Sequence, residues 1–157
     1  MRILIAEDEP VSRKLLGAAL ERMGHEVVSA DNGRTAWELL ESEDFRLIIA
    51  DWEMPEMDGL ELVQRIRSQS APKRYVYIIL LTSRAEKKDI VGGLDAGADD
   101  YLTKPFDHQE LKVRIKTGQR IIELETQLAE QSRTDQLTRI SNRRAFEERL
   151  GWLCDQA

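Results

Sequence analysis

RLIIADWEMPEMDGLEL, residues 46–62, runs a short apolar segment straight into an aspartate, Asp51, and then breaks at a Met-Pro-x-Met-Asp-Gly turn. An apolar run of this length, closed by turn residues and followed by a helical period, reads as a buried strand leading into an amphipathic helix. The alternation recurs along the chain. RILIA, EVVSA, RLIIA, YVYIILLT and DYLTK are the strand candidates, and residues 10–23, 33–41, 58–67 and 84–94 are the helical stretches between them. Pro10 suits a first helical turn and Gly24 a left-handed helix end. A fifth helix starts at DHQE, where Asp107 can cap and Glu110 can return the bond. Such a pattern specifies a doubly wound α/β domain, a parallel sheet covered by helices on both faces.

The 157 residues carry a net charge of −6 and a pI near 5.1, with the basic residues dispersed. Binding a phosphate backbone needs clustered positive charge, so no nucleic-acid partner is expected. The single cysteine, Cys154, cannot form an internal disulfide, and the opening ILIA is too short for a signal peptide or a membrane span. The expectation is a soluble cytoplasmic protein with no membrane partner.

Ligands of an open parallel sheet bind beyond the carboxyl ends of the strands, where strand order reverses. The first run leads there to Glu7 and Asp8, the third to Asp51, the fourth to Thr82 and Ser83, and the fifth to Lys104. Three carboxylates brought together repel unless a cation lies between them. Magnesium suits such a set, because it accepts a few carboxylate oxygens, keeps several waters and also binds phosphate oxygens. Lys104 then offers a point charge for phosphoryl oxygens, Thr82 a hydroxyl donor, and Asp51 a nucleophile that would form an acyl phosphate. Asp31, ending the second run, is read as a cap or turn residue. His25 and His108 are isolated, follow no metal-ligand spacing and are assigned to the surface.

Over residues 1–118, the motifs AEDEP, LIIADWEMPEMDGLEL, ILLTS and GADDYLTKPF resemble the receiver domain of two-component response regulators. The resemblance implies a flavodoxin-like five-stranded sheet in the order 2-1-3-4-5. It implies that a histidine kinase or phosphotransfer protein phosphorylates Asp51. Glu7, Asp8, Asp51 and the backbone carbonyl of Glu53 would hold Mg2+, and Lys104 would bind the phosphoryl group. Thr82 and Tyr101 would form the switch, Lys104–Pro105 would be a cis peptide, and Glu53 and Arg84 would influence phosphoryl lifetime. Trp52, next to Asp51, should point to the other side of the strand and serve packing.

The fifth helical pattern continues through LKVRIKTGQRIIELETQLAEQSR to about Arg133, with Ile121, Leu124 and Leu128 at heptad spacing. Gly118 inside it costs about 1 kcal/mol relative to alanine and marks a kink or the domain edge. Residues 119–133 are read as a coiled-coil linker. Residues 134–157 resemble the entry of GGDEF diguanylate cyclase domains through Asp135, Leu137, Thr138, Asn142, Arg143 and Arg144, while Arg139 and Ile140 depart from that pattern. The Gly-Gly-Asp-Glu-Phe signature is not among the 157 residues, so the chain is read as a phosphoacceptor rather than an enzyme, cut from a longer cyclase. It would form a homodimer through helix four, strand five and helix five, where Asp99 and Asp100 stand beside Lys112, Arg114 and Lys116. Two alternatives compete. A small phosphatase of the haloacid dehalogenase type also uses a strand-end aspartate, but prefers Asp where this chain has Glu53 and places its lysine before the last acidic loop. A dimerisation adaptor with a vestigial site is disfavoured by the complete acid, threonine and lysine set.

Overall fold

The computed structural model describes residues 1–68, 74–83 and 87–156, with side chains described as far as residue 132. Arg84 and the side chains of the GGDEF-like segment lie outside the described residues. Five parallel strands, β1 (Arg2–Ala6), β2 (Glu26–Ala30), β3 (Leu47–Asp51), β4 (Tyr77–Thr82) and β5 (Asp100–Thr103), form one sheet in the order β2-β1-β3-β4-β5. The helices are α1 (Pro10–Arg22), α2 (Gly33–Ser42), α3 (Gly59–Arg67), α4 (Lys87–Asp95) and α5 (His108–Gln156). This is the doubly wound α/β architecture that the strand-helix alternation specifies. Because the order reverses between β1 and β3, the carboxyl ends of these two strands border the crevice where a ligand can sit.

Successive strand residues point to opposite faces, and here both faces are dry. Ile3, Ile5, Leu47, Ile49, Tyr77 and Ile79 pack with Leu16 and Leu20 of α1 and Leu111 and Ile115 of α5. Leu4, Ala6, Ile48, Ala50, Ile78 and Leu80 face Ala36 of α2 and Leu62, Val63 and Ile66 of α3. Hence the inner strands β1, β3 and β4, unlike the edge strands β2 and β5, read as nearly unbroken apolar runs, and a charged residue can follow them only at the rim.

Local capping differs in detail from expectation. Glu9 caps α1, accepting from Val11 N at 3.1 Å and Ser12 N at 2.6 Å, with Pro10 in the first turn. Asn32, not Asp31, caps α2, taking the Thr35 N–H at 2.8 Å, and Asp31 Oδ1 accepts from the Asn32 amide. Asp107 accepts from Gln109 N at 2.8 Å to start α5, whereas the Glu110 carboxylate turns to Arg114 at 3.5 Å instead of back to the cap.

Helix α5 passes Gly118 without interruption. A Cβ there would lie 2.8 Å from Tyr77 Cδ1 and 3.0 Å from Leu47 Cδ1, so the glycine lets the helix press directly on β3 and β4. Packing divides the chain into the units Met1–Ile122 and Glu123–Ala157. Ile122 is buried and Ile121 half-buried in the first unit, whereas Leu124 and Leu128 are 48% and 59% exposed. Among the described residues no helix is long and apolar enough to cross a membrane.

Candidate functional site

Asp51 is the last residue of β3 and only 7% exposed. The chain leaves it through the Met-Pro-Glu-Met-Asp-Gly turn, in which Glu56 adopts a left-handed φ of 71°. The turn then folds back so closely that a Cβ on Gly59 would meet the Asp51 carbonyl oxygen at 2.3 Å. Only glycine fits there. Asp58, one residue earlier, caps α3 by accepting from Glu61 N at 2.8 Å, so the turn that frames the site also starts the helix.

The Asp51 carboxylate is held at both oxygens. Lys104 Nζ donates to Oδ2 at 2.8 Å, and the Glu53 N–H donates to Oδ1 at a long 3.4 Å. The same Nζ lies 2.7 Å from Glu7 Oε2 as an ion pair off hydrogen-bond direction, which leaves that fully buried oxygen without a directed donor. Burial pushes the Glu7 carboxyl up to about 7; the Lys104 ammonium opposes this, and the Asp51 carboxylate adds to it. Burial pulls Lys104 down, but its hydrogen bond to Asp51 and its close ion pair with Glu7 outweigh that and hold its pKa above the ordinary lysine value.

Glu7, Asp8 and Asp51 each offer a carboxylate oxygen, all within 4.8 Å of one another. The donors are hard oxygens, and among the described residues a single ammonium, paired with Glu7 and Asp51, stands against the three acids. That set fits a hard divalent ion such as Mg2+, held by Glu7, Asp8 and Asp51 with solvent reaching it past the exposed Asp8. Such an ion supplies charge neutralisation for phosphoryl oxygens.

Two residues not singled out from the sequence organise the loop carrying these acids. Arg13 Nη1 donates to the carbonyls of Glu7 at 2.9 Å and Asp8 at 3.4 Å, and the Glu9 N–H donates to Glu7 Oε1 at 3.2 Å. The only sequence hint is an arginine on the first turn of the helix that follows the acid pair.

Thr82 ends β4, is 2% exposed and pairs in register with Thr103. The Lys104 N–H donates to the Thr82 carbonyl at 2.8 Å, and the Lys104–Pro105 peptide is cis. Thr82, Tyr101, Trp52, Leu80 and Leu94 line a crevice too narrow to admit water. Trp52 itself is buried on the α2/α3 face, away from the acids, as strand alternation requires.

Among the residues assigned to a dimer face, Asp100 and Arg114 lie together, whereas Asp99, Lys112 and Lys116 are placed elsewhere. Asp99 is used inside the chain: its carboxylate accepts from Arg67 at 2.7 Å, from the Ile78 N–H at 2.8 Å and from the Tyr75 hydroxyl. Arg114 does face β5, pairing with Asp100 at 3.1 Å with its guanidinium 5.9 Å from the Tyr101 ring centre. Lys112 and Lys116 instead line a groove against α1. Four residues apart on a helix share a face, but two apart lie about 200° round, so neither lysine can stand beside Arg114.

A family model for the response regulator receiver domain matches residues 3–116. The chain belongs to that family. This receiver is 38% identical over 120 residues to a chemotaxis protein CheY homolog of Campylobacter jejuni, an alignment covering 74% of this chain and 90% of the relative. It is likewise 38% identical over 118 residues to chemotaxis protein CheY1 of Helicobacter pylori, covering 74% of this chain and 94% of the relative. The solved receiver domain of a Francisella response regulator superposes with a TM-score of 0.70 at 30% identity, covering 74% of this chain and 94% of that one.

Proposed function

We propose that this receiver is a phosphoacceptor switch whose chemistry runs through Asp51. The observation that carries the reading is the bridge of Lys104 Nζ between Asp51 Oδ2 at 2.8 Å and Glu7 Oε2 at 2.7 Å, next to the oxygen of Asp8. The Asp51 carboxylate attacks the phosphorus of a phosphohistidine, forming an O–P bond as the P–N bond breaks, and the imidazole leaves with a proton from solvent. Lys104 gives up its place on Asp51 Oδ2 to meet the incoming phosphoryl oxygens. Glu7 and Asp8 would hold Mg2+, which would neutralise charge on those oxygens. The donor of the phosphoryl group is a histidine kinase or phosphotransfer protein.

Switching follows from the crevice beside Thr82. Because it is too narrow for water, the Tyr101 ring can enter only when the Thr82 hydroxyl has moved toward a phosphoryl oxygen. Entry withdraws Tyr101 from Arg114 and alters the surface of α4, β5 and α5, where Val91, Leu94 and Val113 are exposed. We infer that this surface pairs with a second copy and that α5 relays the pairing to a GGDEF diguanylate cyclase output, which the residues from Asp135 to Arg144 support. On this reading the receiver proper ends at Ile122 rather than at residue 118, and its linker runs from there to about residue 133.

Incubation with acetyl phosphate and Mg2+ should add the mass of one phosphoryl group to the intact chain, and Asp51→Asn should abolish it. Labelling without Mg2+, or on Asp51→Asn, overturns the assignment. Sedimentation with and without beryllofluoride and Mg2+ tests the pairing; identical profiles remove the dimer.

A further inference from the structure

Helices α1 and α5 enclose a groove of about 580 Å3 on the side of the sheet away from α2 and α3, within the size range of small-molecule sites. Its floor is apolar, from Ala19, Met23 and Ile115. Among the described residues three cations, Arg22, Lys112 and Lys116, stand around it, and no carboxylate does. In a chain of net charge −6 this is a local inversion of sign. All three are exposed, and none takes part in an ion pair among the described residues. His25, also in the lining, has its Nδ1 enclosed without a hydrogen-bond partner.

Three unpaired cations around one concavity repel each other, and a multiply charged anion relieves that repulsion where monovalent counter-ions do so weakly. The apolar floor adds affinity only for a ligand with an organic body. We propose that the α1–α5 groove binds a small organic oligophosphate, of nucleoside diphosphate or triphosphate size, with Arg22, Lys112 and Lys116 on its phosphates and Met23 and Ile115 against its body. The site is separate from the acid rim. Arg22 closes α1, whose first residue follows the acid-bearing loop, so the 13-residue helix spaces the two by about 20 Å. The inference therefore does not depend on phosphorylation of Asp51.

The test is a titration of the full chain with ATP and, separately, with pyrophosphate, in EDTA so that Mg2+ at the acid rim plays no part, followed by backbone amide NMR at about 0.15 M salt. ATP should give saturable shifts confined to residues 19–25 and 108–119. Pyrophosphate, lacking the body, should bind about tenfold more weakly. The Lys112→Glu/Lys116→Glu variant should lose at least about tenfold in affinity while keeping its amide spectrum and its labelling by acetyl phosphate, and Arg22→Glu should behave likewise. Absence of saturable shifts, or affinity unchanged in these variants, overturns the proposal. Equal affinity for pyrophosphate and ATP overturns the organic-ligand assignment.

Discussion

Glu7→Gln should stabilise the metal-free receiver at pH 8 and leave it little changed near pH 4.5. The Glu7 carboxyl is fully buried, and its pKa is pushed from an ordinary 4.5 to about 7, first by burial. Between those two pH values the folded chain holds a proton that the unfolded chain has released. Stability from this group is therefore present below pH 4.5 and lost as pH rises through 7. The interval corresponds to about 3 kcal/mol. Because the exposed Asp8 opens the rim to solvent, about half of that, 1–2 kcal/mol, is the expected loss. Glutamine keeps the shape and cannot ionise, so in EDTA the variant should unfold at a higher urea concentration at pH 8, the gap closing toward pH 4.5. Lys104, held above its ordinary value, stays charged throughout and contributes no slope. Saturating Mg2+ should reverse the order, since ligation of the native state adds stability in proportion to affinity and the variant has lost a ligand. A variant less stable than wild type in EDTA at pH 8, or a difference that does not vary with pH, would refute the view that an ionised Glu7 is a strained group awaiting a cation.

Arg13→Ala frees the carbonyls of Glu7 and Asp8 and should weaken Mg2+ binding about tenfold without removing a ligand, measurable by calorimetry or by Trp52 fluorescence. Asp99→Asn removes the charged acceptor shared by Arg67 and Tyr75 and should cost about 2–3 kcal/mol in urea unfolding while leaving acetyl phosphate labelling at wild-type extent. Gly118→Ala gains about 1 kcal/mol of helix propensity but meets Tyr77, itself only 4% exposed, at 2.8 Å; net destabilisation of about 1–2 kcal/mol should follow, and a more stable variant would show that α5 can lift off the sheet.

The strands and the acid rim were legible because their signals are local or periodic. A strand covered on both faces has no polar half, so RILIA and RLIIA announce burial by length alone, and each delivers its next residue to the rim. What could not be read depends on partners far apart in the chain. Asp99 next to Asp100 suggests a shared surface charge, yet Arg67 and Tyr75, 32 and 24 residues away, draw it inside. Glu9 as the cap of α1 was equally hidden, since glutamate is not among the favoured N-cap residues and its carboxylate reaches the N–H groups only because Pro10 fixes the entry.

Helix α5 shows the opposite failure, where periodicity was available and propensity misled. Its basic residues look like one cluster in the linear string KVRIK, but 100° per residue puts Lys112 and Lys116 toward α1 and Arg114 toward β5, with Ile115 buried between them. Gly118 looks like a break when judged by propensity, which counts only the chain's own backbone entropy. The decisive term is the missing Cβ, which brings the helix axis close enough for Ile122, one turn later, to reach the core beside Tyr77. The glycine thus extends the anchored part of the helix past the point where it suggested an end, and the first residues free to pair with another chain are Leu124 and Leu128 rather than Ile121.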